Sequence, residues 1–443
     1  MASLAKCELR CAKMLTAVHQ EPIVGLRLMP IAQNVYLLLF SLYWAQGLPV
    51  GFMTHALPVI LRAEGVSLAH IGGFGLLMLP WSIKILWAPW VDRLGNHQRG
   101  HYRSWIIPTQ LLTVIALIAL SFLPIHALDQ PHYLLLFFMT LLSLNFVGAT
   151  QDIATDGLAV RILKSEQQHW GNTFQVIGSR LGFIVGGGAI LWILDGFEWQ
   201  TTFLLLAGLV LLNTLPVLLY RESTPVQVVH QPSTSWRQKS KAITQYLKYY
   251  RSSSTLWRWL WVLLTFKVAD GLAGPLLKPL MVDLGLSFTQ IGVYVTMLGA
   301  FAALLGAGFA GALLKIMRRS QALCLFSGLK IICLATYTWL AYQYEQQQAI
   351  APVVIYVINA AEDAVSAMLL VVMLTLVMQY SRLEYAATDF TFQVAVMVTV
   401  SGVLYSLSGL IGDVLGYTNY LFLIVFIAIF CLVTIFRWMK FEK

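Results

Sequence analysis

Asn145-Phe-Val-Gly-Ala-Thr-Gln-Asp-Ile-Ala-Thr-Asp-Gly157 places two carboxylates, Asp152 and Asp156, four residues apart. On a helix that spacing puts both on one face. The residues just before it, Tyr133 to Phe146, are predominantly apolar and enter a bilayer as helix. An ionised aspartate at bilayer depth costs about 2.5 to 3.5 kcal/mol on insertion scales. Two such groups persist only where they face protein, water or a cation. The rest of the chain must therefore supply a polar interior.

Composition leads to the same place. Hydrophobic residues make up 58% of the 443 and charged residues only 11%, with a mean hydropathy of +0.73. Soluble domains run near about 25% charged, so this is a polytopic, all-α membrane protein. The formal charge of +9 does not indicate a nucleic-acid partner, because the basic residues fall in short loops between apolar spans. Cys7, Cys11, Cys324, Cys333 and Cys431 show neither metal-ligand spacing nor a disulfide framework. No metal and no cofactor are expected. Residues 1–30 carry Lys6, Arg10, Lys13 and Arg27 without a sustained apolar run. They read as a short amphipathic cytoplasmic segment rather than a signal peptide.

A bilayer span takes about 20 apolar residues as helix. That ruler predicts twelve transmembrane helices, at 35–61, 69–91, 104–124, 132–160, 173–194, 200–220, 256–282, 289–315, 320–343, 350–380, 388–412 and 417–437. Arg93, Arg99, Arg103, Arg161, Lys164, Lys315, Arg318, Arg319, Arg382, Arg437, Lys440 and Lys443 all fall on one side of that arrangement. The alternate loops carry Asp129, Asp195, Glu198, Asp283, Glu345 and Asp413, and among cations essentially Arg62. The positive-inside rule then puts both termini in the cytoplasm. The expected units are a cytoplasmic segment 1–34, a six-helix bundle 35–220, a linker 221–255, a second six-helix bundle 256–437 and a tail 438–443. The linker carries Arg237, Lys239, Lys241, Lys248 and Arg251, a basic face suited to anionic membrane lipids.

The two halves echo one another. Gly65-Val-Ser-Leu-Ala-His-Ile-Gly72 is answered by Gly285-Leu-Ser-Phe-Thr-Gln-Ile-Gly292, and Thr173-Phe-Gln-Val176 by Thr391-Phe-Gln-Val394. Matches at corresponding places in each half indicate duplication. Six plus six helices with a central basic loop resembles the major facilitator superfamily. Its Gly-x-x-x-Asp-Arg-x-Gly loop stands here as Ala88-Pro-Trp-Val-Asp92-Arg93-Leu-Gly95, while the second half keeps Gly308 but has Ala312 in place of the acid. Within that superfamily the chain resembles the AmpG-type permeases. The resemblance rests on Gly47-Leu-Pro49, Lys84-Ile-Leu-Trp-Ala-Pro89, Gln151-Asp-Ile-x-x-Asp156, Arg180-Leu-Gly-Phe-Ile-Val-Gly-Gly187 and Leu191-Trp192. Gln46-Gly-Leu-Pro-Val-Gly51, Ala56-Leu-Pro-Val59 and Thr155-Asp-Gly-Leu-Ala159 are more similar to the RhtX/FptX branch of siderophore importers.

The resemblance implies a central cavity lined by the first, fourth, seventh and tenth helices. Their polar residues are Gln46 and His55, then Gln151, Asp152 and Asp156, then Lys267, Asp270 and Lys278, then Asn359, Glu362 and Asp363. Asp270, with Lys267 one turn before it, and Glu362 or Asp363 are the expected proton-coupling groups, since burial and a nearby ammonium both move a carboxylate's proton affinity. Gln46, His55, Gln151, Asp152, Asp156, Lys278 and Asn359 are the expected cavity lining. Lys84 and Arg180, at depths compatible with Asp152 and Asp156, are expected to form a charge cluster bracing the first six helices, with Asp92 and Arg93 at the cytoplasmic latch. A static ion pair at Asp270 and a direct substrate role for Asp152 and Asp156 stay open as alternatives. Gly178, Gly182 and Gly186 recur every four residues, a close-packing pattern.

The resemblance implies a monomeric secondary transporter of the bacterial inner membrane, importing a siderophore or ferric siderophore with protons by alternating access. The alternative cargo is an anhydromuropeptide. A membrane-embedded enzyme or sensor on a transporter fold is the remote alternative, and enzymatic activity is not expected. No nucleotide-binding loop of the Gly-x-x-x-x-Gly-Lys-Ser/Thr type occurs, so nothing supports ATP-driven pumping.

Overall fold

The computed structural model describes residues 34–57, 60–61, 74–96, 100–123, 130–190, 193, 198–222, 249–287 and 290–441. Residues 1–33, the linker residues Arg237, Lys239, Lys241 and Lys248, the first glycine repeat and Leu191-Trp192 lie outside the described residues. Among the described residues the chain is all-helical, and ten helices are long and apolar enough to cross a membrane. Large apolar side chains such as Leu86, Phe426 and Phe430 are 66–71% exposed on their outer faces. Against water that surface would drive aggregation; against lipid it is ordinary.

Helix α1 (Val35–Gly51) starts at Asn34, whose side chain accepts from the backbone N–H groups of Tyr36 and Leu37, and runs into a π turn, Phe52–Ala56. The expected second span is broken. A 3-10 turn (Phe74–Met78) leads to α2 (Leu79–Ile83), a second 3-10 turn (Lys84–Leu86) and α3 (Ala88–Arg93). Pro80 and Pro89 each open one of the short helices, where the missing N–H costs nothing; continued through a helix interior, each would remove a hydrogen bond. Next come α4 (Arg103–Ser121), α5 (Pro131–Ile162), α6 (Gln168–Phe183, then a π turn to Ala189) and α7 (Trp199–Leu219). Helix α6 is not among the ten apolar spans; Asn172, Thr173, Gln175 and Arg180 lower its hydropathy.

The expected seventh span is two helices, α8 (Ser254–Phe266) and α9 (Val268–Asp283), with the break at Lys267. A π turn (Ile291–Met297) continues as α10 (Leu298–Leu313), followed by α11 (Arg319–Glu345) and α12 (Pro352–Gln379). Helix α13 runs from Ala386 to Met439, 54 residues. At about 1.5 Å per residue that is far longer than a bilayer is thick. Gly416, at φ +73°, divides it into two spans, and the Glu345 carboxylate caps the second by accepting from the Thr418 N–H at 3.1 Å.

Helices α1 and α6 meet backbone to backbone. A Cβ added at Gly182 would lie 2.5 Å from the Gly47 Cα, and one at Gly186 would lie 1.9 Å from the Leu48 carbonyl oxygen. The four-residue glycine repeat is thus a packing seam. Gly186→Val should lower stability by about 1–3 kcal/mol or more, because the atoms it meets are backbone and cannot rotate away. Gly208→Ala, where the added atom meets nothing, is the control. The readout is the unfolding midpoint of the detergent-solubilised protein, and equal midpoints would refute the seam.

Hydrogen bonds joining the first half to the second cluster at the end that carries Arg93. The buried Asp92 carboxylate accepts from the Tyr102 hydroxyl (2.6 Å), the Ala387 N–H (3.1 Å), and the N–H (2.8 Å) and hydroxyl of Thr388. It thereby caps α13 from across the molecule. Arg161 donates to the Leu383 carbonyl at 3.3 Å, and the Asn172 amide donates to the Thr375 hydroxyl at 3.3 Å. The second half lacks the equivalent acid, and a cation reaches back instead. Arg319 donates to the Gln168 side-chain oxygen at 2.8 Å and to the Ser165 carbonyl, at the start of α6.

Candidate functional site

Away from this closed end, charged side chains gather in each half. In the first half the 3-10 turn after α2 delivers Lys84 inward, where it is 5% exposed and pairs with Asp152 of α5. Lys84 therefore does not reach along the helix toward Asp92. Asp156, one turn further along α5, is 2% exposed. It accepts from the Tyr43 hydroxyl of α1 at 2.7 Å and from the Gln175 amide of α6 at 3.5 Å, and Asp152 lies one turn before it on the same helix face. Gln46 donates to the Thr155 hydroxyl at 3.1 Å, tying α1 to the same turn of α5. Gln151, Gln46, Asn145 and Trp81 line a small adjoining cavity.

The expected four-member brace does not form. Arg180 joins no salt bridge with Asp152 or Asp156; it acts electrostatically on Asp363, across in the second half. Asp92 is spent on the joint with α13, and Arg93 beside it is exposed. The 3-10 turn Lys84–Leu86 separates the two: Lys84 begins it, and Asp92 lies on the short helix α3 that follows.

In the second half Lys267, at the break between α8 and α9, pairs with Asp270 at 2.8 Å. Asp270 also pairs at 2.9 Å with Lys330 of α11, and Lys330 pairs in turn with Glu362 of α12. The Ser366 hydroxyl accepts from Lys330 at 2.7 Å and donates to Glu362 at 2.8 Å. Two acids and two bases close one balanced cluster. A cavity of about 50 Å³ between α8, α9, α11, α12 and the end of α13 borders it, lined by Asp270, Lys330, Ser327 and Cys431. Asp363 stands apart; the Asn359 amide donates to it at 2.9 Å and to the Val295 carbonyl at 2.9 Å, while the Tyr337 hydroxyl donates to Asn359 at 3.2 Å.

Of the residues singled out from sequence, Lys267, Asp270 and Glu362 come together, as do Gln46, Gln151, Asp152, Asp156 and Lys84. Lys278 is exposed and drawn into neither cluster. His55 lies on the π turn, its side chain outside the described residues. Sequence reasoning missed Lys330 and Tyr43. Lys330 was visible as a lysine in the middle of the expected ninth span, but the expectation that the first, fourth, seventh and tenth helices line the cavity passed over it.

The architecture matches solved transporters. The structure of FucP, a major facilitator superfamily transporter in the outward conformation, superposes with a TM-score of 0.62 at 13% identity, covering 93% of this chain and 99% of that one. A bacterial homologue of the iron transporter ferroportin in its outward-facing state gives 0.65 at 15%, covering 91% and 98%. The protein is a multi-pass membrane protein with the major facilitator transporter fold.

Sequence relatives refine this. Residues 34–195 match the family described as acetyl-coenzyme A transporter 1. The anhydromuropeptide permease of Escherichia coli K12 is 28% identical over 306 residues, 68% of this chain and 60% of that permease's length. The putative transporter AmpG 4 of Rickettsia conorii is 28% identical over 264 residues, covering 58% of this chain and 61% of that one. None of the relatives named here is described as a siderophore importer.

Proposed function

We propose that this chain is a secondary transporter that carries an anhydromuropeptide-class solute across the bacterial inner membrane by alternating access. The observation that carries the reading is the placement of its polar groups. Bonds between the halves seal one end, while each half carries a buried charged cluster in its interior, Lys84 with Asp152 and Asp156 in the first and Lys267, Asp270, Lys330 and Glu362 in the second. A static membrane protein has little reason to bury charged groups in each half of a divided interior; a carrier whose halves rock about its cargo does. Likeness to the permeases above supports a cell-wall sugar–peptide as cargo over the siderophore expected from the first-helix motifs. The sealed, basic end is then the cytoplasmic one.

Purified protein in liposomes should take up radiolabelled anhydromuropeptide at least about tenfold faster than a ferric siderophore, with an imposed inward proton gradient raising the plateau. Preference for the siderophore would overturn the cargo. Uptake of neither, alongside turnover of a membrane substrate, would overturn transport itself.

A further inference from the structure

We propose that Asp152 and Asp156 share a single proton and form the protonation site of this carrier, an inference that rests on the transport reading above. The charges facing the pair are few. Lys84 comes from the broken second span and sits on Asp152. Tyr43 from α1 and Gln175 from α6 bring neutral donors to Asp156. Arg180, which would have balanced the second acid, forms no ion pair with either carboxylate among the described residues. The buried group therefore holds two carboxyls and one ammonium.

An ionised carboxylate only accepts hydrogen bonds, so two buried one turn apart on a helix face repel, and a shared proton removes that repulsion. With that proton the group is neutral: Lys84 positive, one acid negative, the other an O–H donor to its neighbour. Without it a net negative charge is left in a site 2–9% exposed, which burial in low dielectric strongly opposes. A second observation points to the same place. The Gln151 side chain is 2% exposed and its amide nitrogen has no partner, and Gln151 lines, with Gln46 and Asn145, a cavity of about 10 Å³. That is room for about one water, beside the residue that precedes Asp152 on α5.

The contrast with the second half sharpens the assignment. Lys267, Asp270, Lys330 and Glu362 are already balanced, two acids against two bases, with no unmatched acid among them. Asp363 accepts from the neutral Asn359 amide at 2.9 Å. Coupling follows from charge alone: the neutral, protonated triad tolerates enclosure, whereas the deprotonated one needs water. A carrier that has released its proton on one side is thereby kept from closing over a bare negative charge.

Difference infrared spectroscopy on the full-length protein in lipid nanodiscs tests this without any cargo. The wild type should show a pH-dependent carbonyl band of a protonated carboxylic acid. Asp156→Asn and Asp152→Asn should each abolish it, because one acid then remains for one lysine. Lys84→Met should keep or enlarge it, and Asp270→Asn should leave it unchanged. Each variant is first shown to be monodisperse with a native helical spectrum. A band that survives both aspartate substitutions, or that disappears in Asp363→Asn instead, overturns the assignment. In liposomes, Asp156→Asn should cut proton-driven accumulation of labelled anhydromuropeptide at least about tenfold while cargo counterflow persists. Loss of cargo uptake by the wild type would strike the transport reading and leave the infrared result standing.

Discussion

Lys330→Met should destabilise the protein by about 3–5 kcal/mol, the usual cost of removing one partner from a buried ion pair. Its side chain is 11% exposed and stands between Asp270 and Glu362, so its loss leaves two acids to share Lys267. The effect should exceed that of Lys267→Met, whose side chain is 32% exposed and is shielded by solvent. Adding Glu362→Gln to Lys330→Met should recover a substantial part of the loss, since it removes one orphaned charge. Thermal unfolding of detergent-solubilised protein measures all three. A Lys330→Met midpoint equal to wild type would mean that the network is hydrated and contributes little.

Asp92→Ala should open the closed end. Its carboxylate holds the start of α13 through Ala387 and Thr388, and hydrogen bonds to a charged group are worth about 1.5–3 kcal/mol each. Every 1.4 kcal/mol is a tenfold change in population. Thr375, fully buried behind Asn172 at this joint, is the reporter. In a background with the five native cysteines replaced, Thr375→Cys should react slowly with a water-soluble maleimide. Asp92→Ala should accelerate that reaction at least about tenfold. Arg319→Ala should act in the same direction with a smaller effect, since its bonds to Ser165 and Gln168 lie toward the surface. Unchanged labelling in Asp92→Ala would mean that packing alone holds the joint.

Most spans were legible in sequence because hydropathy is a local property. The break near Lys84 was not read, although Pro80 and Pro89 mark it. Asp92 stood out by its motif. Its acceptor role toward Thr388, 296 positions away, depends on the packing of two halves that no local pattern records. Rotation about the helix axis was the other blind spot. Depth placed Arg180 beside Asp152 and Asp156, yet it pairs with neither among the described residues. Lys330 points inward from a helix outside the four expected to line the cavity, making a four-member network of what read as a pair plus loose acids. Depth can be read from hydropathy; which acid meets which base depends on rotation about the helix axis.

The glycine seam bears on inhibition. With α1 and α6 fused along their backbones, Gln46 and Arg180 travel as parts of one lever, whatever the halves do. A compound that clasps only that lever is indifferent to the cycle and rides through it. On the transport reading proposed above, one that bridges the two halves fixes a separation that must change for the cycle to proceed. Blockers should therefore be distinguished from cargo by rigidity across that separation rather than by tightness of grip on either wall.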